Sequence, residues 1–449
     1  MAMAAVAMEW ERIEVEEEVK TTLATRGVCA AGPYLYGGLR QTAPPTQNWD
    51  GDEVPHGSLI HISSSSSSET KAEVVWEEGN KEGGPHPRAE AHLAVLTHPS
   101  PPHSQRVILF GGTYFDDDLD DDVWFNDSWA FNPATRTWKL LSMLGQPPHA
   151  RSEGVMVALP ASANMQAKIP PHLLQDSDLQ VLFGGACVML FGGTCKHAEP
   201  DARYYRDVRI GFMVGSSLQR DDDDDDGNDK DDDKGEPDGM LWVKCVTGGD
   251  RPPTLRGATG VYDAANEALV IVSGRHQTPF YDVYYSADVY SMDIVSLMWE
   301  KRAAIGDVPR ARFDMASLYL PGPQRIVAGG GNVLDDDLDD GPVDDLYLLN
   351  TNVEPVVWEC LASKSPDPTS SSALPGRRFQ HSLIAIPNHP NDSADPNPND
   401  PDDPNPNDSV SILYAGGYTN TQPRDLYFPY LARTTITFPD TTTTTTTTT

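Results

Sequence analysis

The residues best placed to do chemistry are arginines in a recurring setting. Arg88, Arg151, Arg256, Arg312 and Arg378 each open a run of small and apolar residues, and Arg88, Arg151 and Arg312 stand close behind a proline. Arg26 is a weaker sixth, because no proline precedes it. A guanidinium carries five donors in a rigid fork that matches a carboxylate or phosphate two bonds at a time. The series therefore reads as a set of ligand-binding arginines. The same fork also satisfies backbone carbonyls, so a purely structural use of the series stays open. A second candidate is the polar-aromatic stretch of His276, Tyr281, Tyr284 and Tyr285, which fits an interaction surface as well as it fits catalysis.

Acidic residues are the other conspicuous chemistry. The chain of 449 residues has 33 Lys and Arg against 67 Asp and Glu, a formal charge of −34. Much of this acid is local: six Asp in 116–122, ten in 221–233, five in 335–340 and six in 392–408. Asp116, Asp118 and Asp120 have the first spacings of an EF-hand calcium loop, but Asp121 takes the place of its glycine and Asp127 that of its closing Glu. The run from Asp335 has Leu346 where that Glu belongs, so no dedicated metal site is expected. The histidines, among them His61, His92, His149, His197, His276 and His381, show no paired ligand spacing. No Gly-x-Ser-x-Gly, P-loop or dinucleotide fingerprint occurs, so no catalytic residue and no cofactor is assigned. The charge argues against nucleic-acid and anionic-membrane partners, which need clustered Lys and Arg. No apolar run reaches the ~18–20 residues of a membrane helix. Five scattered cysteines (Cys29, Cys187, Cys195, Cys245 and Cys360) form no disulfide framework, and a reducing, cytoplasmic setting is expected, with a nuclear one also open.

The elements that must position these residues repeat. Apolar runs ending in small residues recur, closing at Gly37–Gly38, Gly111–Gly112, Gly192–Gly193, Gly274, Gly329–Gly330 and Gly416–Gly417. An alternating run led by Asp127, Asp207, Asp288, Asp345 or Asp425 follows, with Ser58 in that place in the first unit. An isolated tryptophan comes next: Trp76, Trp138, Trp242, Trp299 or Trp358. Short apolar runs bounded by Gly and Pro are buried strands, so the class is all-β. One small sheet cannot bury both faces, so the units must stack.

The order arginine, apolar run with Gly-Gly, Asp-led aromatic run and tryptophan resembles the Kelch repeat over residues 8–430. The resemblance implies a six-bladed β-propeller with four strands, a to d, per blade. The last unit lacks its tryptophan, while Trp10 precedes every other signal, so Met8–Val15 is expected to close the ring as strand d of the final blade; Thr434–Phe438 is the rival. Inserts at 116–122, 219–239, 335–342 and 388–408, with Ala161–Ser177, are expected to be mobile, and 431–449 to be a threonine-rich tail. Val181–Gly185 duplicates a strand signature directly before Val188–Gly193, as an added hairpin or a sequence error. In similar Kelch domains the face of the d–a and b–c loops presents arginines to acidic or phosphorylated peptides. The resemblance thus implies a monomeric protein-interaction module that binds a partner protein or acidic peptide through Arg88, Arg151, Arg256, Arg312, Arg378, Tyr281 and Tyr284, with Phe115 and Trp124 as further anchors. A substrate receptor of a ubiquitin-ligase-type assembly and a carbohydrate-acting oxidase or epimerase on the same fold are the alternatives.

Overall fold

The computed structural model describes residues 10–437 apart from 14, 17–18, 21–22, 24, 42–52, 67–68, 78–82, 100–104, 176–178, 197–203, 217–237, 278–281, 334–340, 363–379, 387–408, 420–425 and 428–430. Arg378, Tyr281 and most of the acidic tracts at 219–239, 335–342 and 388–408 lie outside the described residues. No helix among them is long and apolar enough to cross a membrane.

The strands form antiparallel four-stranded meanders. Cys29–Ala31, Tyr34–Tyr36, Leu59–Ser66 and Glu69–Trp76 make one, and His92–Thr97, Gln105–Phe110, Ser128–Asn132 and Thr137–Gly145 the next. Val155–Leu159, Cys187–Phe191, Val208–Ser216 and Gly239–Cys245 follow, then Thr259–Asp263, Ala268–Val272, Val289–Asp293 and Met298–Arg302. Ala316–Leu320, Arg325–Gly329, Leu346–Asn350 and Val356–Ala362 come next. Ser382–Ile386, Ser409–Ala415 and Leu431–Thr437 are completed by Trp10–Ile13 from the other end of the chain, in register Trp10 with Thr434 and Ile13 with Leu431. The first strands of successive meanders pack side by side, and Ser382–Ile386 returns to Cys29–Ala31. The fold is therefore all-β and propeller-like, its inner strands forming a nearly closed barrel.

Three tryptophans each hold one meander to the one before. Trp242 packs on Phe110, Trp299 on Phe191 and Trp138 on Tyr36, with ring centroids 5.3, 5.2 and 5.7 Å apart. In each case the partner is the aromatic residue before the preceding meander's glycine pair. Trp76, Trp138, Trp242, Trp299 and Trp358 are all buried, and such rings dominate core energetics. Only the backbone of Trp10 is described. A second stitch was not foreseen: Gly145, Gly249 and Gly306, in the left-handed region with φ 72, 75 and 85°, end short segments that pair in parallel with the next meander's tryptophan strand. A Cβ there would lie 2.5, 2.1 and 2.2 Å from the carbonyl oxygens of Trp242, Trp299 and Trp358.

Several expectations are corrected. The 431–449 segment is not all tail, since Leu431–Thr437 is an interior strand with Leu431 and Ile436 fully buried; a β-branched, threonine-rich strand was misread as low complexity. The Asp425-led run does not supply the third strand, because Leu426–Tyr427 pairs instead with Tyr418–Thr419 in a short hairpin. Residues 161–175 bury Ala163, Met165 and Ile169, which repays their ordering. Leu179–Val181 pairs with the far end of Val208–Ser216, whose near end takes Cys187–Phe191, so both duplicated signatures share one long strand. The glycine pair with positive φ in the fifth unit is Gly330–Gly331, not Gly329–Gly330, and Ser273 takes the first place beside Gly274.

Candidate functional site

The glycine pairs bring the arginines into position. In five units the second glycine's N–H donates to the carbonyl of one residue at the entry to the following first strand: Gly38 to Arg88, Gly112 to Arg151, Gly193 to Leu255, Gly274 to Arg312 and Gly417 to Thr25. This slot turns its side chain inward beneath the loops. Arg88 Nη1 donates to Gly111 O and its Nη2 to Asp127 Oδ2, both at 2.9 Å. Arg151 Nη1 donates to Gly192 O at 2.9 Å and to Asp207 Oδ1 at 2.7 Å. Arg312 repeats this with Gly330 O at 3.0 Å and Asp345 Oδ2 at 2.9 Å. Phe125 and Tyr205 cover the first two guanidiniums at 3.7 and 4.1 Å from their ring centroids. Burial works to raise the Asp207 carboxyl, but hydrogen bonds and charge from Arg151 and Arg209 bring it down to about 2.

These three arginines are consequently not a rim. Arg151 and Arg312 are 0% exposed and Arg88 is 1% exposed, and each is engaged with its own unit's Asp. The recurring Arg and Asp are two halves of one internal clamp, so the assignment of Arg88, Arg151 and Arg312 to partner binding is corrected.

Arg256 behaves differently because the clamp slot in its unit belongs to Leu255. Arg256 stands one residue later, paired through its backbone with Arg275, and in extended chain a one-residue step reverses a side chain's direction. It is 28% exposed, and its Nε donates to Glu153 Oε2 at 2.6 Å. Arg26 has the same displaced position, following Thr25, and its Nη1 donates to Gln380 Oε1 at 3.1 Å. Both arginines act on Glu90, their charges favouring its ionised form.

One residue further along, every unit turns sharply. Gly27, Glu90, Glu153, Gly257, Asp314 and Gln380 all have positive φ, between 53 and 69°. Their backbones form a chain of hydrogen bonds around the axis: Gly27 N to Gln380 O, Glu90 N to Gly27 O, Glu153 N to Glu90 O, Gly257 N to Glu153 O and Asp314 N to Gly257 O. Four non-glycine residues in this region store backbone strain, and such strain concentrates where a structure has a use for it. The ring encloses an axial cavity of about 160 Å³ whose polar side chains are Glu90, Glu153, Asp314, Gln380 and His381. Gln380 Nε2 donates to Glu90 Oε1 at 2.9 Å. Asp314 Oδ1 sits so near Gly257 that a Cβ there would be 2.4 Å away, while Asp314 Oδ2 is buried with no hydrogen-bond partner among the described residues. Burial, and then the charge of Glu153, push both Glu90 and Asp314 up to about 8. Sequence reasoning missed this cluster, since Glu90, Glu153, Asp314 and Gln380 share no residue type; their constant distance of two positions after the clamp slot was the available signal.

Above the axis, the b–c connections stand up as two-stranded hairpins. Thr113–Asp116 pairs with Asp121–Trp124, and Arg275–Gln277 with Val283–Tyr285. Phe115 is 50% exposed, Leu119 67% and Tyr284 49%, with Tyr284 stacked on His276 at 5.2 Å. The acidic run 116–122 is thus a hairpin tip: Asp116 Oδ1 accepts from the N–H groups of Asp118 and Leu119 at 3.0 and 3.2 Å. The Tyr114 hydroxyl, donating to the same carboxylate, helps hold Asp116 below its usual range. Among the described residues no group of three or more His, Cys, Asp and Glu is arranged to hold a metal ion.

No protein-family model matches the chain. Among solved structures, the chain is similar to that of YjhT, at 12% identity and a TM-score of 0.49, over 92% of this chain and 97% of that one.

Proposed function

We propose that the chain is a six-bladed Kelch-type propeller, closed by its N-terminal strand, that acts as a protein–protein interaction module through the face of its d–a and b–c loops. The observation that carries the reading is the pair of hairpins with exposed Phe115, Leu119 and Tyr284 beside the axial mouth. Alternating strand direction puts every b–c connection on one face, and exposed aromatics on rigid supports are the usual anchors of an interface. With three of the recurring arginines internal, an acidic peptide is the less favoured partner.

The test is affinity capture with mass spectrometry on the full chain. Phe115→Ala, Leu119→Ser and Tyr284→Ala combined should release a set of partners while leaving the melting temperature unchanged. Val295→Ser, at an exposed c–d turn on the opposite face, should retain them. Partners that survive the triple substitution, or that leave equally with Val295→Ser, would overturn the reading.

A further inference from the structure

We propose that the axial cavity is a recognition site for a primary alkylammonium group, inserted among Glu90, Glu153 and Asp314. This deepens the interaction reading and rests on it only for the source of the guest, a lysine side chain or N-terminal amine of a partner, with a free amine as the other source.

Three observations carry it. First, the lining is one-sided: three carboxylates face the cavity, and no lysine or arginine is among its lining residues. Of the cations nearby, Arg256 is paired with Glu153 and Arg26 with Gln380, while Arg275 lies off the lining, 5.9 Å from the Phe313 ring centroid, its Nε without a hydrogen-bond partner among the described residues. Second, Asp314 Oδ2 is a buried acceptor with no partner among the described residues. Leaving such a group unmet costs about 1–3 kcal/mol, more if it is charged, and a donor arriving from outside removes that cost. Third, the size fits one group rather than a whole small molecule. Pockets for drug-sized ligands run to about 300–1,000 Å³, against about 160 Å³ here.

An ammonium carries three donors and no acceptor on one atom, which matches three acids distributed around one axis; the planar guanidinium fork matches a single carboxylate edge better. The backbone ring fixes the acids before the guest arrives, so little ordering is left to be done on binding. The chain's charge of −34 would steer cations towards the mouth.

Binding should also release protons. In the empty site Glu90 and Asp314 hold their protons up to about pH 8, whereas an ammonium favours both as carboxylates. The other groups facing these acids, Glu153, Arg26, Arg256, Arg275 and His381, remain in place throughout.

The experiment is calorimetric titration of the full chain with a short peptide bearing one lysine, with its Nε-acetylated form, and with n-pentylamine. The lysine peptide should bind and the acetylated form should not. Affinity should rise at least about tenfold between pH 6.5 and 8.5, from the linked protons. Asp314→Asn with Glu90→Gln should weaken binding at least about tenfold while melting no lower than the wild type, since the amides are neutral isosteres of acids that burial already keeps protonated. Peptide binding far tighter than pentylamine assigns the guest to a protein partner, and equal binding assigns it to a free amine. Absence of binding at millimolar concentration, equal binding of the acetylated peptide, or unchanged binding by the variant overturns the proposal. The hairpin triple substitution, which should leave the titration intact, separates this outcome from failure of the interaction reading.

Discussion

The meanders opened by Arg88, Arg151 and Arg312 and those opened by Thr25 and Leu255 share a backbone and differ in what fills one slot. In the first group a buried guanidinium ties the glycine carbonyl to the unit's Asp. In the meander opened by Thr25 both halves are replaced together: Thr25 Oγ1 donates to Leu39 O at 2.9 Å, and Ser58 occupies the Asp position, its carbonyl meeting Gly37 N. In the meander opened by Leu255 the Asp persists as Asp288 and is taken up by Lys301 at 2.8 Å. Losing the slot frees an arginine one residue later to serve the axis. The comparison teaches that residue type alone did not sort these arginines into structural and accessible ones; register did.

The sharpest way to break the comparison is to remove a clamp. Arg312→Met should cost about 3–5 kcal/mol, because it removes the fully buried guanidinium that joins Asp345 to Gly330 O and leaves both acceptors without it, read as a fall in the denaturation midpoint. Arg256→Gln should cost less, about 1–3 kcal/mol, because the amide still offers Glu153 a hydrogen-bond donor where the guanidinium stood. If the two variants unfold at the same midpoint, the division into clamp and axial arginines is wrong.

Stability against pH should then separate the two regions by sign. Asp207 is held at about 2, below its unfolded value near 4, so its contribution is present at neutral pH and fades as pH falls from about 4 to about 2. Glu90 and Asp314 are held at about 8. Their protons stay on in the folded protein and leave the unfolded chain near pH 4, so their contribution fades as pH rises from about 4 to about 8. Glu90→Gln with Asp314→Asn should therefore stabilise the protein more at pH 9 than at pH 5, by several kcal/mol. A gain independent of pH would remove the axial acids from the comparison.

Much of the strand framework was legible because its signals are local. Glycine pairs mark strand ends through their backbone freedom, and the unmatched Trp10 pointed to a strand from the N-terminus, now seen paired with Leu431–Thr437. The site was only half legible. Tyr284 is exposed on its hairpin and Arg256 is partly exposed beside Glu153, but Arg88, Arg151 and Arg312 are internal, because sequence order shows that Arg and Asp recur without showing that they meet. Glu90, Glu153, Asp314 and Gln380 were invisible for a different reason. What unites them is a left-handed backbone turn, which three carboxylic acids and an amide adopt here under tertiary constraint rather than by propensity.

The pairing of Trp10–Ile13 with Leu431–Thr437 also sets a clock on biosynthesis. Trp10–Ile13 cannot find its neighbour until more than four hundred further residues have been made. Until then Trp10–Ile13 stays unpaired, and Leu431–Thr437 keeps an open edge until it docks. This long wait makes the closing step the one most exposed to premature pairing.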